Sequence, residues 1–229
     1  MINKYQSLEN KINIRFKDKS LLENAFIHRS YLNEAKNVAE SNERLEFLGD
    51  SILSFVVSNH LYKTYPDFDE GILTNLRSLV VNTKSLAKTA KKLNFGQYLK
   101  LSHGEEDSGG RENDSILANT FESVIGALFL DQGIEAVREF LYQVLIPEIE
   151  EYVQKKVFKD PKSLLQEYVQ ARKQSSPLYK VLHEEGPAHA KQFTIGVFVE
   201  DTQLGEGKGK SKQEAEEHAA EQALEKIGK

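Results

Sequence analysis

Hydrophobic residues recur at helical spacing along the first two thirds of the chain. Apolar positions that repeat every three or four residues indicate a helix with one buried face. We find no convincing strand alternation in this part, and the polar, glycine-containing stretch 102–114 predicts a loop. The spacing predicts helices over 21–31, 44–65, 73–93, 116–130 and 134–153.

The hydrophobic period changes after residue 160. Asp160 and Pro161 are typical of a helix start, a capping residue followed by proline at the first helical position, and this helix extends to about 173. Ser211 and Glu214 form a capping box that starts a last helix. Alternating apolar residues between the two helices predict strands over 178–183, 192–200 and 202–208.

These patterns predict a multi-domain protein. With 229 residues, the chain is long enough for two small domains. We expect an all-α domain over 1–153, a linker over 154–160 and a small α+β domain of order α-β-β-β-α over 161–229.

Three carboxylates lie on one face of the helix predicted near residue 44. At about 100° per residue, Glu43, Glu46 and Asp50 fall within about 60° of one another. Like charges at this spacing weaken a helix, but Mg²⁺ would reverse the penalty because it takes carboxylate and water oxygens. An ordinary solvated acidic face explains the spacing equally well. The opposite, apolar face comprises Leu45, Leu48, Ile52, Phe55 and Val56.

A second helix carries polar residues within an apolar sequence. In the segment 116–130, Asn119 and Glu122 lie about 60° apart on one face, which Ser123 and Gly126 share. These two small residues would let another backbone or a ligand approach closely. An acidic side chain in such a helix is unfavourable unless it is paired or bound to a metal. Glu122 is therefore a metal ligand or the partner of an arginine.

Phe47 lies about 70° from the carboxylates and outside the apolar face. A phenyl ring there is exposed in a monomer, where it suits a partner surface. A single exposed phenylalanine is also ordinary.

Composition narrows the class of protein. No apolar run approaches the length of a membrane span, and the N-terminus lacks the layout of a signal peptide. Cysteine is absent, which excludes disulfides and thiolate-bound zinc. These features fit a cytoplasmic protein without a membrane partner. Because the net charge is −5, any nucleic-acid binding must use a local concentration of positive charge.

The run Asn42-Glu43-Arg44-Leu45-Glu46-Phe47-Leu48-Gly49-Asp50-Ser51 resembles the signature of bacterial ribonuclease III. A contiguous run is far more specific than a spaced pattern. The resemblance extends over essentially the whole chain. Further matching segments are His28-Arg29-Ser30-Tyr31, Asp69-Glu70-Gly71, Gly109-Gly110-Arg111 and Ser115-Ile116-Leu117-Ala118.

The resemblance implies a homodimeric endonuclease for double-stranded RNA that depends on Mg²⁺, with Mn²⁺ as a substitute. It implies 5′-phosphate and 3′-hydroxyl ends and a part in RNA processing, such as ribosomal RNA maturation. Phe47 matches the position that inserts into a socket on the other subunit. The implied metal ligands are Glu46, Asp50, Asn119 and Glu122, with Asp50 and Glu122 catalytic and Glu43 and Glu70 as supporting acidic residues. A helix-start residue before Gly71 explains Glu70 equally well.

Asn119 departs from the family pattern, which usually has Asp at this position. An amide oxygen coordinates Mg²⁺ more weakly than a carboxylate does. The substitution fits a natural variant that tolerates Asn, a weaker metal affinity, or an altered protein of reduced activity. We expect activity to be retained at some level because the three carboxylates at 46, 50 and 122 are present.

The C-terminal segment resembles a double-stranded RNA-binding domain. Its first helix presents a polar face that suits the shallow minor groove, and Gly186-Pro187-Ala188-His189 matches the loop that enters a second minor groove. Lysines at a helix N-terminus suit phosphate oxygens, although Gln213 replaces a usual basic residue. The RNA-binding residues implied are Ser163, Gln166, Gln170, His189, Lys208, Lys210, Ser211 and Lys212.

Two other functions compete with a nuclease. One is a non-cleaving double-stranded RNA-binding protein in which Asn119 marks a lost active site. The other is a structural helical dimer with an RNA tether. No glycine-rich loop has nucleotide-binding spacing, so no nucleotide cofactor is expected.

Overall fold

The computed structural model describes residues 5–35, 38, 40–155, 161–187 and 191–227. The chain divides into two compact units, Met1–Phe158 and Lys159–Lys229, and each has a hydrophobic core among its described residues. The domain boundary and the linker at 154–160 stay predictions, since 156–160 lie outside the described residues. None of the described helices combines the length and the apolarity that crossing a membrane requires.

Helices form the first unit. Short 3₁₀ segments lie at Arg29–Asn33, Phe95–Tyr98 and Gly110–Glu112, and β pairing among its described residues is limited to one bridge between Ile27 and Lys100. The helices are α1 (Gln6–Ile12), α2 (Lys19–Ala25), α3 (Glu43–Thr64), α4 (Glu70–Val80), α5 (Thr83–Lys92), α6 (His103–Asp107), α7 (Asp114–Gln132), α8 (Ile134–Val144) and α9 (Ile146–Gln154).

The single helix predicted over 73–93 is wrong, because the chain forms α4 and α5 there. Asn82 accounts for the break. Its side-chain oxygen accepts the Ser85 N–H at 3.0 Å, and its amide donates to the carbonyl oxygens of Ser78 at 2.7 Å and Leu79 at 2.9 Å. One asparagine thus closes α4 and caps α5, a role that its short polar side chain favours.

Two further predicted helices are also interrupted. The segment 134–153 divides into α8 and α9, and Pro147 lies in the first turn of α9, where its missing N–H has no helical partner to lose. The helix predicted over 21–31 ends early because Ile27 leaves it to pair with Lys100.

Two local predictions in the first unit need correction. The stretch 102–114 is not only a loop, because Ser102 caps α6 by accepting the Glu105 N–H at 3.3 Å. Phe55 does not belong to the buried face of α3, since its side chain is 61% exposed. It lies about 60° beyond Ile52, which marks the edge of the buried sector.

The second unit contains α10 (Pro161–Ala171), the strands β1 (Leu178–Glu185), β2 (Gln192–Val199) and β3 (Thr202–Gly209), and α11 (Lys212–Lys226). The strands form one antiparallel sheet in the order β1-β2-β3. Its inner face packs on the helices, and Ser211 caps α11 by accepting the Glu214 N–H at 3.1 Å. The predicted α-β-β-β-α order is confirmed.

Glu148 ties α9 to α5. Its carboxylate accepts hydrogen bonds from the Ser85 hydroxyl and the Lys92 ammonium, both at 3.2 Å, and lies 2.8 Å from the Lys88 ammonium. Burial by itself raises the pKa of Glu148, but the hydrogen bonds from the two lysines outweigh it and leave the pKa below its ordinary value of 4.5.

We expect Glu148→Gln to lower the free energy of unfolding at pH 7 by about 1–2 kcal/mol, because it removes charge-assisted hydrogen bonds. A carboxyl with a lowered folded-state pKa stabilises the fold above its unfolded pKa, and that contribution is lost as pH falls through the folded pKa. Thermal melts at pH 7 and near pH 3 should therefore show a difference that disappears in acid. An equal difference at both pH values, or a similar loss in the exposed control Glu151→Gln, would contradict this.

Candidate active site

Asn42 fixes the start of α3. Its N–H donates to the carbonyl oxygen of Ile27 at 2.8 Å, and its side-chain amide donates to that of Ala25 at 3.2 Å. Its own carbonyl oxygen accepts the Glu46 N–H at 2.9 Å and the Ser123 hydroxyl at 3.2 Å. The turn that carries Glu46 is therefore held against both the preceding segment and α7.

The backbones of α3 and α7 meet beside the carboxylates. A Cβ atom added to Gly49 would lie 1.8 Å from the carbonyl oxygen of Glu122, and one added to Gly126 would lie 2.2 Å from that of Leu45. Only glycine fits at either position. The prediction of a close approach at Gly126 is confirmed, and the contact places Glu122 against the residue that precedes Asp50.

The charges of the two helices affect one another. Burial and the nearby charges of Asp50 and Glu46 raise the pKa of Glu122 to about 7. Burial and the charge of Glu43 also raise the pKa of Glu46, while a hydrogen bond with Asn119 acts in the opposite direction. The sequence-predicted residues of α3 and α7 therefore lie within electrostatic reach of one another, and the cluster carries unbalanced negative charge.

The oxygen atoms of these side chains fit a hard cation, although the side chains do not form a complete coordination sphere. Among the described residues, no group of three or more His, Asp or Glu side chains is arranged to hold a metal ion. Mg²⁺ needs only one or two direct carboxylates because it keeps several waters. Glu46, Asp50 and Glu122 offer carboxylate oxygens, and Asn119 offers an amide oxygen. In the described part of the chain, Glu122 forms no ion pair with an arginine or lysine.

A cleft of about 510 Å³ lies beside these carboxylates. Its wall includes Glu43, Glu46 and Asn119 but neither Asp50 nor Glu122. Most of the wall comes from segments outside the two predicted helices, for which the signals were the motifs at 28–31, 42–51 and 115–118 and the polar stretch 102–114. The wall residues without a predicted role are His28, Arg29, Asn42, Glu105, Asn113, Ser115 and Ile116.

Glu70 is not among the residues that line the cleft. It is the first residue of α4, it is exposed, and its carboxylate accepts a hydrogen bond from the Thr74 hydroxyl at 3.2 Å. Asp69, the residue before it, caps the helix by accepting the Ile72 N–H at 2.8 Å. These contacts favour a helix-start role for this segment, so the catalytic support expected of Glu70 stays a prediction.

Phe47 is 79% exposed, as expected from its position off the apolar face. Beside it lies a groove of about 500 Å³ between α3 and its neighbours. The groove thus combines an exposed ring with apolar side chains on the same surface. Its lining residues are Leu21, Asn24, Glu40, Ser41, Arg44, Leu45, Phe47, Leu48 and Leu130.

The second unit exposes the residues expected to contact RNA. On α10, Leu165 and Val169 are buried, so the side chains of Ser163, Gln166 and Gln170 face solvent. Gly186, at the start of the expected RNA-contacting loop, has a φ of 93°, which favours glycine. His189 lies outside the described residues.

The lysines expected to contact RNA phosphates gather where β3 leads into α11. The exposed residues there are Lys208, Lys210, Ser211 and Lys212. Ser211 orders this turn through its cap, and the Lys210 N–H donates to the Glu214 carboxylate at 2.6 Å. The Lys212 ammonium lies 5.7 Å from the centre of the Phe193 ring, within cation–π range.

Both units match known protein families. Residues 18–149 match the ribonuclease-III-like family, and residues 161–227 match the double-stranded RNA binding motif. The chain belongs to the ribonuclease III family. The predicted resemblance and fold class are confirmed, and so is the prediction of an endoribonuclease.

Relatives in the ribonuclease III family match over nearly their whole length. The chain is 50% identical over 219 residues to ribonuclease 3 of Streptococcus equi subsp. zooepidemicus, which covers 95% of this chain and 94% of the relative. It is 46% identical over 221 residues to ribonuclease 3 of Caldanaerobacter subterraneus subsp. tengcongensis, at 96% and 97% coverage.

A solved structure supports the fold of the first unit. The nuclease domain of ribonuclease III from Campylobacter jejuni is 40% identical, has a TM-score of 0.58, and covers 66% of this chain and 96% of that chain. A second structure of that domain, with the same identity and TM-score, covers 62% and 95% and is described as showing structural flexibility in a region involved in dimer formation.

Proposed function

We propose that this endoribonuclease hydrolyses the phosphodiester bonds of double-stranded RNA with a Mg²⁺-activated water, leaving 5′-phosphate and 3′-hydroxyl ends. The observation that supports this most directly is the contact of Gly49 with Glu122, which brings the carboxylates of α3 and α7 into one electrostatic cluster. A cytoplasmic role in RNA processing, such as maturation of ribosomal RNA precursors, fits the family.

Glu46, Asp50, Asn119 and Glu122 would hold the ion, and Mn²⁺ would substitute for Mg²⁺. Such a cation lowers the pKa of a water and neutralises negative charge that develops on phosphoryl oxygens. The backbones of α3 and α7 are held together at their glycine contact. The carboxylates on these helices would therefore hold the ion in a fixed position. Preorganisation of this kind avoids the cost of rearranging charged groups during the reaction.

The second unit would bind the duplex by shape. Its exposed amide and hydroxyl side chains on α10 suit 2′-hydroxyl groups in a minor groove. The lysines around the start of α11 suit phosphate oxygens, and His189 would enter a second minor groove. This arrangement explains how a chain of net charge −5 binds RNA, since its positive charge is locally concentrated.

A cleavage assay on labelled duplex RNA tests the proposal. The duplex should be longer than about 16 base pairs, which is the length that one double-stranded RNA-binding domain spans. We expect cleavage with Mg²⁺ or Mn²⁺, none with EDTA, and products that can be labelled at their 5′ ends only after phosphatase treatment. Duplex binding without cleavage under every condition would instead favour the non-cleaving protein.

Asn119→Asp is expected to lower the Mg²⁺ concentration for half-maximal cleavage by about tenfold, because a carboxylate binds this ion more strongly than an amide does. The variant also loses the hydrogen bond that favours ionised Glu46. Titration of cleavage rate against Mg²⁺ measures the effect, with Asn113→Asp at the cleft wall as a matched control. An unchanged or higher requirement would show that Asn119 does not contact the ion.

We propose that two copies of the chain form a homodimer through Phe47 and the groove beside it. Burial of an aromatic ring is worth about 1.5–3 kcal/mol, and a two-fold interface repeats each contact. Phe47→Ser should therefore weaken self-association by at least about a hundredfold, measured by sedimentation equilibrium. The control Tyr62→Ser removes another exposed ring, which is 74% exposed. A dimer unaffected by Phe47→Ser would exclude this surface.

A further inference from the structure

Arg29 is the single lysine or arginine among the described residues that line the active-site cleft. The other ionisable wall residues are Glu43, Glu46, Glu105 and His28. Burial lowers the pKa of His28 and so disfavours a charge on its ring. Among the described residues of the wall, a polyanion that enters this cleft therefore meets one fixed positive charge.

Among the described residues, the guanidinium of Arg29 has N–H donors that no acceptor uses. Its nearest acidic partner is Glu43, at 3.9 Å, and the two side chains are 73% and 57% exposed. Within the described residues Arg29 donates no side-chain hydrogen bond, although a guanidinium carries five N–H donors. An exposed pair at this distance contributes little to stability, so structural pairing does not account for the position of Arg29.

The backbone around Arg29 is held firmly. The His28 N–H donates to the carbonyl oxygen of Lys100 at 3.1 Å, and the His28 ring nitrogen Nδ1 lies 2.9 Å from the Ser30 hydroxyl. That hydroxyl in turn accepts the Ser102 N–H at 3.1 Å. Arg29 therefore starts its 3₁₀ segment from a braced position. A fixed backbone lowers the entropy that this segment loses when the Arg29 side chain binds a ligand.

We propose that Arg29 binds an RNA phosphate beside the scissile bond and so positions the duplex in the cleft. A guanidinium pairs with phosphate oxygens through two parallel hydrogen bonds. Glu43 is held at its other oxygen by the Ser41 hydroxyl at 2.7 Å, so it lies beside Arg29 at the edge of the cleft without closing it to a ligand. This inference rests on the proposed function, because it assigns the group that meets the substrate of that site.

Arg29→Gln tests the inference in the full-length chain. We expect KM for a duplex to rise about tenfold while kcat changes by less than about threefold, since an interaction made equally in the bound and transition states alters mainly KM. Duplex binding should also be measured in the Glu122→Gln background at several salt concentrations. The slope of log Kd against log salt concentration should be smaller by about one when Arg29 is replaced. Arg29→Lys should retain the slope and recover part of the affinity.

Arg138→Gln is the matched control, because Arg138 is an exposed arginine paired with Glu135 on α8 and lies outside the cleft. A second comparison separates phosphate binding from simple pairing. If Arg29 serves only as the counter-charge of Glu43, then Glu43→Gln will restore KM and the salt slope in the Arg29→Gln chain, and the inference fails.

An unchanged KM and salt slope in Arg29→Gln would also overturn the inference. Circular dichroism melts of both arginine variants check that the fold is intact, and Arg29→Lys supplies the same comparison if Arg29→Gln unfolds. Failure of the proposed function has a different signature, because the unmodified chain would then not cleave duplex RNA with Mg²⁺. The binding comparison in the Glu122→Gln background still evaluates Arg29 in that case.

Discussion

Glu122→Gln is expected to slow single-turnover cleavage of duplex RNA by about 10²–10⁴-fold, with little change in duplex affinity. The carboxylate is one of the few anionic groups that α7 places against α3, and losing it weakens the hold on a cation that supplies several kcal/mol of charge stabilisation. Each loss of 1.36 kcal/mol slows the reaction tenfold. The residues of the second unit proposed to contact RNA are untouched, so affinity for the duplex should remain.

The fold should also survive this substitution. In the metal-free chain, burial and repulsion by the charges of Asp50 and Glu46 disfavour ionised Glu122 and raise its pKa to about 7. A neutral amide relieves that repulsion, and we therefore expect the thermal midpoint not to fall. Cleavage rates at saturating enzyme, with Glu135→Gln on the surface of α8 as control, measure the effect. A rate within threefold of the unmodified chain would remove Glu122 from the reaction.

The long, strongly periodic segments of this chain were predictable. The two site helices follow from apolar spacing, and their polar interruptions at Glu46, Asp50, Asn119 and Glu122 identify the face on which each site residue lies. That these faces meet does not follow from spacing. It depends on Gly49 and Gly126, whose missing side chains let the two backbones meet. Gly126 predicts a close approach but does not indicate which segment makes it.

The errors have identifiable physical causes. The buried residues Val80 of α4 and Ala87 of α5 lie seven positions apart, which is about two helical turns, so the spacing continues across Asn82 and hides the break. Phe55 was assigned to the core because apolar character was taken for burial, whereas a folded surface retains many apolar atoms. The cleft wall at His28, Arg29 and Glu105 depends on contacts between distant segments, which no local pattern encodes.

Local signals were more informative in the second unit. The capping box at Ser211 and Glu214 fixes the start of α11, and alternation along β2 identifies Ile195, Val197 and Val199 as its buried face. The register shift of β1 between Val181 and His183 was not predictable, because a bulge changes the pairing without changing the pattern of residue types.

Among single methyl groups added to α3 or α7, the one introduced by Gly49→Ala should destabilise the fold most. The new Cβ atom would lie 1.8 Å from the carbonyl oxygen of Glu122 and 3.0 Å from the backbone nitrogen of Gly126. Neither atom belongs to a flexible side chain, so α3 and α7 must separate. We expect a loss of about 3–5 kcal/mol, at the upper end of overpacking effects.

The loss should be confined to the first unit. Calorimetry of the full-length chain should show its transition lowered by about 6–20 °C, while the transition of the second unit, which has its own core, stays in place. Gly104→Ala is the matched control because nothing lies within 4 Å of its added Cβ atom. Cleavage should fall with the first transition, since separating α3 from α7 disperses the carboxylates. An unchanged first transition would mean that the two backbones do not touch at Gly49, and the basis for a shared metal site would be lost with that contact.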